Sequence, residues 1–200
     1  GTAYTRILLI NNRKRFIYLS VLHEFITCVE SDKPKTGLVE GDYFVISGRS
    51  GARNKNPHKY LDDAKLLEKA HKEALENNDF LFTRYAFYCA NSYKDYGDNL
   101  NAIKWYKITL EQPNWEQEKY MSCLSICECY KNINQIENAL YYCIESHKYD
   151  NQRIEGIYEL VNHYTSKNDF SMAYTFYQLI KINYENLYFN EKYDIGEKLF

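Results

Sequence analysis

Phe87-Tyr-Cys-Ala-Asn-Ser-Tyr-Lys-Asp-Tyr-Gly-Asp98, followed after three residues by Ala102-Ile-Lys-Trp-Tyr106, decides the fold. Apolar residues recur at helical spacing on both sides of a polar turn, Lys94-Asp-Tyr-Gly-Asp98. The arrangement returns twice. Tyr93 is followed nine residues later by Ala102 and four later by Tyr106, Tyr130 by Ala139 and Cys143, and Tyr164 by Ala173 and Tyr177. The three tyrosines lie 37 and 34 residues apart, and the later two precede the polar turns Lys131-Asn-Ile-Asn134 and Ser166-Lys-Asn-Asp169. A period of ~34 residues, built as helix, turn and helix, predicts a stack of helical hairpins.

In this spacing the tyrosine packs across the turn onto the second helix. The alanine lets two backbones approach, and the residue one turn further fills the gap to the next unit. The pattern resembles the tetratricopeptide repeat, with Cys143 where an aromatic residue is usual and Thr109 and Ser146 where alanine is usual. Three hairpins are close to the lower limit for a free-standing array, so the ends need covers. Leu61, Ala64, Leu66, Leu67, Ala70, Ala74 and Leu75 form an apolar stripe over residues 57–77, behind Pro57 at the expected helix start. That helix is expected to cover the first hairpin. Residues 189–200 read as the start of a further element.

Residues 1–56 have another character. Four apolar or β-branched runs, at residues 6–10, 16–22, 25–29 and 43–46, predict strands. A Gly- and basic-rich loop, Gly48-Arg-Ser-Gly-Ala-Arg-Asn-Lys-Asn-Pro57, separates them from the helices. The expected division is 1–56 and 57–200. Charge follows a similar line: residues 1–60 carry ten Lys/Arg against five Asp/Glu, whereas residues 61–200 carry fifteen against twenty-two. An acidic helical region argues against a nucleic-acid partner, since phosphate contacts need a positive face. No apolar run approaches the ~20 residues of a membrane span, and no basic-then-apolar leader opens the chain, so a cytoplasmic location is expected. The six cysteines lack paired metal-ligand spacing, Cys127-Glu-Cys129 being too tight, and are expected to be buried as small apolar side chains.

No G-x4-G-K-S/T loop, G-x-G-x-x-G turn, G-x-S-x-G elbow or Asp-x-Asp pair is present. The segment with chemical potential is Val21-Leu22-His23-Glu24-Phe25, at the end of an apolar run, where a His-Glu pair could supply a proton acceptor or a metal ligand.

The order of parts adds meaning to that pair. An aromatic strand ends in Val-Leu-His-Glu, then come the Arg-Ser-Gly-Ala-Arg-Asn-Lys-Asn-Pro loop, the long helix and the residue 87–106 segment, with Trp115-Glu-Gln-Glu118 and Arg153-Ile-Glu-Gly-Ile-Tyr-Glu-Leu160 further on. From about Arg6 to Phe200 this resembles a group of family 2, GT-A type glycosyltransferases that carry tetratricopeptide-like repeats behind the catalytic domain. The resemblance implies a mostly α chain: a short β segment from the end of a GT-A type domain, then the helical-hairpin array. It implies a nucleotide-sugar donor, a divalent metal (Mn²⁺ or Mg²⁺) and a glycan or protein acceptor. Glu24 matches a polar active-site contact, and His23 a metal or diphosphate neighbour, making these two the candidate catalytic residues and His23 the candidate metal ligand. Arg49 and Arg53 of the basic loop are the candidate donor-binding residues. Where the group has a His shortly before that loop, this chain has Ser47. The resemblance places the donor-binding strands and the Asp-x-Asp upstream of residue 1, so residues 1–200 alone are expected to bind no cofactor and transfer no sugar. The competing expectation is a stand-alone repeat module that binds a protein partner in its groove.

If the alanines are points of close approach, Ala139→Leu should cost ~1–3 kcal/mol through overpacking. Urea denaturation of the purified chain reads this directly.

Overall fold

A computed structural model of the chain describes residue 7 and residues 9–31, 35–41 and 55–183. Among these are two strands, β1 (Phe16–Leu19) and β2 (Phe25–Cys28), and seven helices: α1 (Lys59–Glu76), α2 (Leu81–Tyr96), α3 (Asn99–Glu111), α4 (Glu116–Asn132), α5 (Ile136–Ser146), α6 (Glu155–Ser166) and α7 (Phe170–Asn183). The described chain is mostly helical. α2–α3, α4–α5 and α6–α7 are the three hairpins, each helix packs on the next, and α2 also touches α4. No helix among the described residues is long and apolar enough to cross a membrane.

The first helix of each hairpin ends in one way. Gly97 takes φ 92°, and Asp98 N–H reaches back to the Tyr93 carbonyl. Asn134 (φ 58°) and Asn168 (φ 60°) occupy the equivalent place, with Gln135 and Asp169 bonding back to the carbonyls of Tyr130 and Tyr164. A left-handed residue at this point satisfies the last helical carbonyls and reverses the chain. Glycine adopts it without strain and asparagine with little. Asp98 and Asp169 then cap the next helices, each accepting a 3.1 Å bond from a backbone N–H, of Asn101 and Met172 respectively. α1 closes likewise, through Asn78 (φ 52°) and Asp79.

Ala102 and Ala139 are fully buried and Ala173 nearly so, as close approach requires. Each repeat tyrosine meets a residue of the second helix three positions after the alanine. Tyr130 stacks on Tyr142 with centroids 5.8 Å apart, and Tyr164 on Phe176 at 5.5 Å. In the first hairpin the matching residue is Trp105: its Nε1 and the Tyr93 hydroxyl both donate to Glu68 of α1, at 3.0 and 2.9 Å. Tyr106 and Cys143, one turn after the alanines, are fully buried in the core. On α1, Ala64, Leu67, Ala70 and Ala74 face the core, but Leu66 and Leu75 are 41% and 47% exposed. They lie about 100° around the helix from the buried stripe.

Polar bonds set each hairpin on the next. Lys94 of α2 pairs with Glu128 of α4 at 2.9 Å, and Lys131 of α4 pairs with Glu159 of α6. Just before α6, Arg153 pairs with Glu155, donates to Gln117 at 2.9 Å and lies 4.2 Å over the Tyr120 ring. Tyr120 completes the group by donating to Glu155 at 2.8 Å. Gly156 is needed beside it: an added Cβ would meet the Cys143 carbonyl at 2.5 Å and the Ser146 hydroxyl.

All six cysteines are buried and none is in a disulfide. Burial pushes the Cys123 thiol up to about 12 and that of Cys129 up to about 11. Between α4 and α5, a hydrogen bond from Cys143 holds the Cys127 thiol below its ordinary value and raises that of Cys143.

The amino-terminal part corrects two expectations. Ile7, Leu9 and Ile10 are exposed and belong to no strand, and the run at 16–22 leaves the strand after Leu19. β1 and β2 form an antiparallel hairpin with Phe16 opposite Cys28 and Leu19 opposite Phe25. The His-Glu pair therefore lies in the connecting turn and not on a strand. The expected strand at 43–46, Ser47, the loop residues Arg49 and Arg53, and the element at 189–200 lie outside the described residues.

Gly97→Ala isolates the cost of the turn, because nothing lies within 4 Å of the added Cβ. The expected loss is ~1–2 kcal/mol by denaturant titration, all of it conformational.

Candidate functional site: the turn of the β hairpin

Residues 20–24 join β1 to β2, and two of the five have positive φ: Ser20 at 84° and His23 at 53°. The Ser20 hydroxyl donates to the Leu22 carbonyl, tightening the loop. Each left-handed non-glycine residue costs ~1–2 kcal/mol, so this loop needs outside support. Leu22 supplies part of it. Its side chain is 7% exposed and belongs to the main core, with Leu19 and Phe25 packed against the same cluster. Burying a leucine contributes ~1.5–3 kcal/mol.

Helix α2 supplies more. Nη2 of Arg84 donates to the His23 carbonyl at 2.8 Å. The same guanidinium lies 5.0 Å over the Phe25 ring and 4.6 Å over the Tyr88 ring. The His23 imidazole stacks on the other partner of this group, Tyr88, with centroids 4.1 Å apart and planes 19° from parallel. A hydrogen bond from a charged donor contributes ~1.5–3 kcal/mol, and each cation–π contact ~0.5–2 kcal/mol. These gains are of the size needed to offset two strained residues. Arg84 makes no ion pair among the described residues, and its Nε is buried without a hydrogen-bond partner. Its charge is felt by Glu118, whose carboxyl burial raises while Asn114 and Arg84 oppose the rise.

His23 and Glu24 are both exposed, so the turn presents an imidazole edge and a carboxylate to solvent from a fixed base. Asp95, near the end of α2, shares this field. Burial raises its carboxyl above the usual range and Glu128 adds to the rise, while Lys94, His23 and Lys59 oppose it. Such a surface can accept hydrogen bonds from hydroxyl groups and place a polar ring beside an anion. His23 does not make a metal site by itself. Divalent cations of the Mg²⁺ class take about six oxygen donors, and no group of three or more His, Cys, Asp or Glu able to hold a metal occurs among the described residues. A cation held by His23 would need donors from outside those residues or from a bound diphosphate.

The structure thus brings His23 and Glu24 together on one turn, while Arg49 and Arg53 lie outside the described residues. Sequence reasoning missed Arg84, Tyr88 and Asp95. Arg84 and Tyr88 stand four apart on α2, the spacing of neighbours on one helical face, but they lie more than 60 residues from His23 in the chain. A cationic residue beside an aromatic one on a repeat helix was the available signal. No family model and no curated protein matches the sequence.

Proposed function

We propose that this chain is the C-terminal part of a family 2, GT-A type glycosyltransferase, which transfers a sugar from a nucleotide-sugar donor to a glycan or protein acceptor. The observation that carries this reading is the His23–Glu24 turn: two polar residues resembling the group's His-Glu pair, exposed, held in a strained backbone and braced by Leu22 and Arg84. Strain of that kind clusters where side-chain placement matters. The order of segments, from hairpin through basic loop to the 87–106 repeat, supports the same reading.

In this reading Glu24 accepts hydrogen bonds from sugar hydroxyls at the cleft, and His23 stands beside the diphosphate. Arg49 and Arg53 bind the donor's phosphates, for which a guanidinium fork is suited. A divalent metal, when bound, neutralises the departing nucleoside diphosphate. The helical array carries the acceptor or a partner, or serves as scaffold.

A second reading keeps the array as a protein-interaction module without catalysis. It is favoured by the ion pairs Lys94–Glu128 and Lys131–Glu159, which tie the first helices of successive hairpins, α2 to α4 and α4 to α6, as in the stacked arrays that repeat proteins use for binding.

Calorimetry separates the two. The protein carrying its upstream region should bind a nucleotide sugar in the presence of Mn²⁺, whereas residues 1–200 alone should give no heat; equal binding or equal silence overturns the transferase reading. In the longer protein, Glu24→Gln should lower turnover on the order of 10–100-fold, the loss of one charged hydrogen bond. Its melting temperature should move little. A fall in stability with unchanged turnover per folded molecule would make Glu24 structural.

A further inference from the structure

The geometry points to Arg84 as the positioning residue of the His23–Glu24 turn, which makes repeat helix α2 one wall of the site. Three observations meet at this side chain. First, its guanidinium donates to the carbonyl of His23, the residue held at φ 53°. That bond fixes the peptide between His23 and Glu24, and hence the direction in which the carboxylate leaves the backbone. Second, the same planar group covers the rings of Phe25 and Tyr88, one on each side of the hairpin–repeat junction. Tyr88 in turn carries the His23 imidazole on its face. One guanidinium thereby sets both the backbone and, through a shared ring, the side chain of the turn.

Third, the charge makes no ion pair among the described residues, although its field reaches Glu118. It is half-buried, and its Nε has no hydrogen-bond partner. Partial burial of a charge is unfavourable unless compensated, and here the hydrogen bond that compensates it is to the turn. A methionine or leucine would cover the same rings without that desolvation, so packing alone does not account for an arginine.

The consequence is that the hairpin and the repeats are not separable parts. What the turn presents depends on a residue more than 60 positions later in the chain. Its bearing on catalysis rests on the transferase reading; the positional claim does not.

The test uses residues 1–200 and proton NMR. An imidazole stacked on a phenol ring has its carbon-bound protons displaced upfield by the ring current. In the wild type the His23 protons should show this displacement relative to the urea-unfolded chain. Arg84→Met, which preserves the alkyl stem and helix propensity, should collapse it toward the unfolded value. Cross-strand contacts between Ile17 and Thr27, and the core methyls of Ile126 and Leu160, should persist. If R84M does not fold, Arg84→Gln is measured in the same way. Retention of the displacement in the folded variant overturns the proposal. So does its loss only together with the Ile17–Thr27 contacts, because Arg84 would then merely hold the hairpin together. No nucleotide sugar is present, so failure here removes the clamp and leaves the transferase reading standing, while silence in the calorimetry does the reverse.

Discussion

The close approach of paired helices at Ala102, Ala139 and Ala173 constrains everything else in the array. Ahead of each of these alanines the chain reverses within a few residues, through a left-handed residue that follows each repeat tyrosine at the same distance. The reversal in turn fixes which residues of the second helix face the first. Trp105, Tyr142 and Phe176 come to the same place in their hairpins for this reason, with a ring stack in the second and third and a shared carboxylate in the first. Geometry is conserved among the hairpins while the chemistry filling it changes.

Between hairpins the work passes to polar groups. The junction of α4 and α6 has an arginine, two glutamates, a glutamine, a lysine and a tyrosine hydroxyl linked in two clusters. Ion pairs of this kind contribute little net stability after desolvation but penalise a wrong register, because a slip leaves a buried charge without its partner. In a stack with few units, where each touches only its neighbours, register is the property most easily lost. The added Cβ that Gly156 cannot accept makes the same point sterically.

The hairpin is attached by other means. Leu22 enters the core with Leu19 and Phe25 packed beside it, and from α2 the Arg84 guanidinium and the Tyr88 ring reach the turn. Such an attachment leaves the polar end of the turn in solvent while removing its freedom to move. A binding or catalytic turn needs both, since a mobile carboxylate loses entropy on each encounter and a buried one cannot be reached.

The hairpin array was legible in the sequence because it is written locally. Tyr93, Ala102 and the turn between them are close in the chain, and the period repeats their signal. The left-handed glycine and asparagines are visible as polar turns for the same reason. His23 and Glu24 could be singled out as a pair, but their placement could not be read: the run at 16–22 is apolar and aromatic nearly throughout, yet the strand stops at Leu19, where Leu22 docks in the core and Arg84 bonds to the His23 carbonyl. Propensity is a property of neighbours, whereas strain is set by what lies across the fold. The sequence by itself determined the helices, their turns and their order; tertiary structure alone decided that an arginine on the first repeat holds a turn 61 residues earlier, because contacts between distant segments leave no periodic trace in either one.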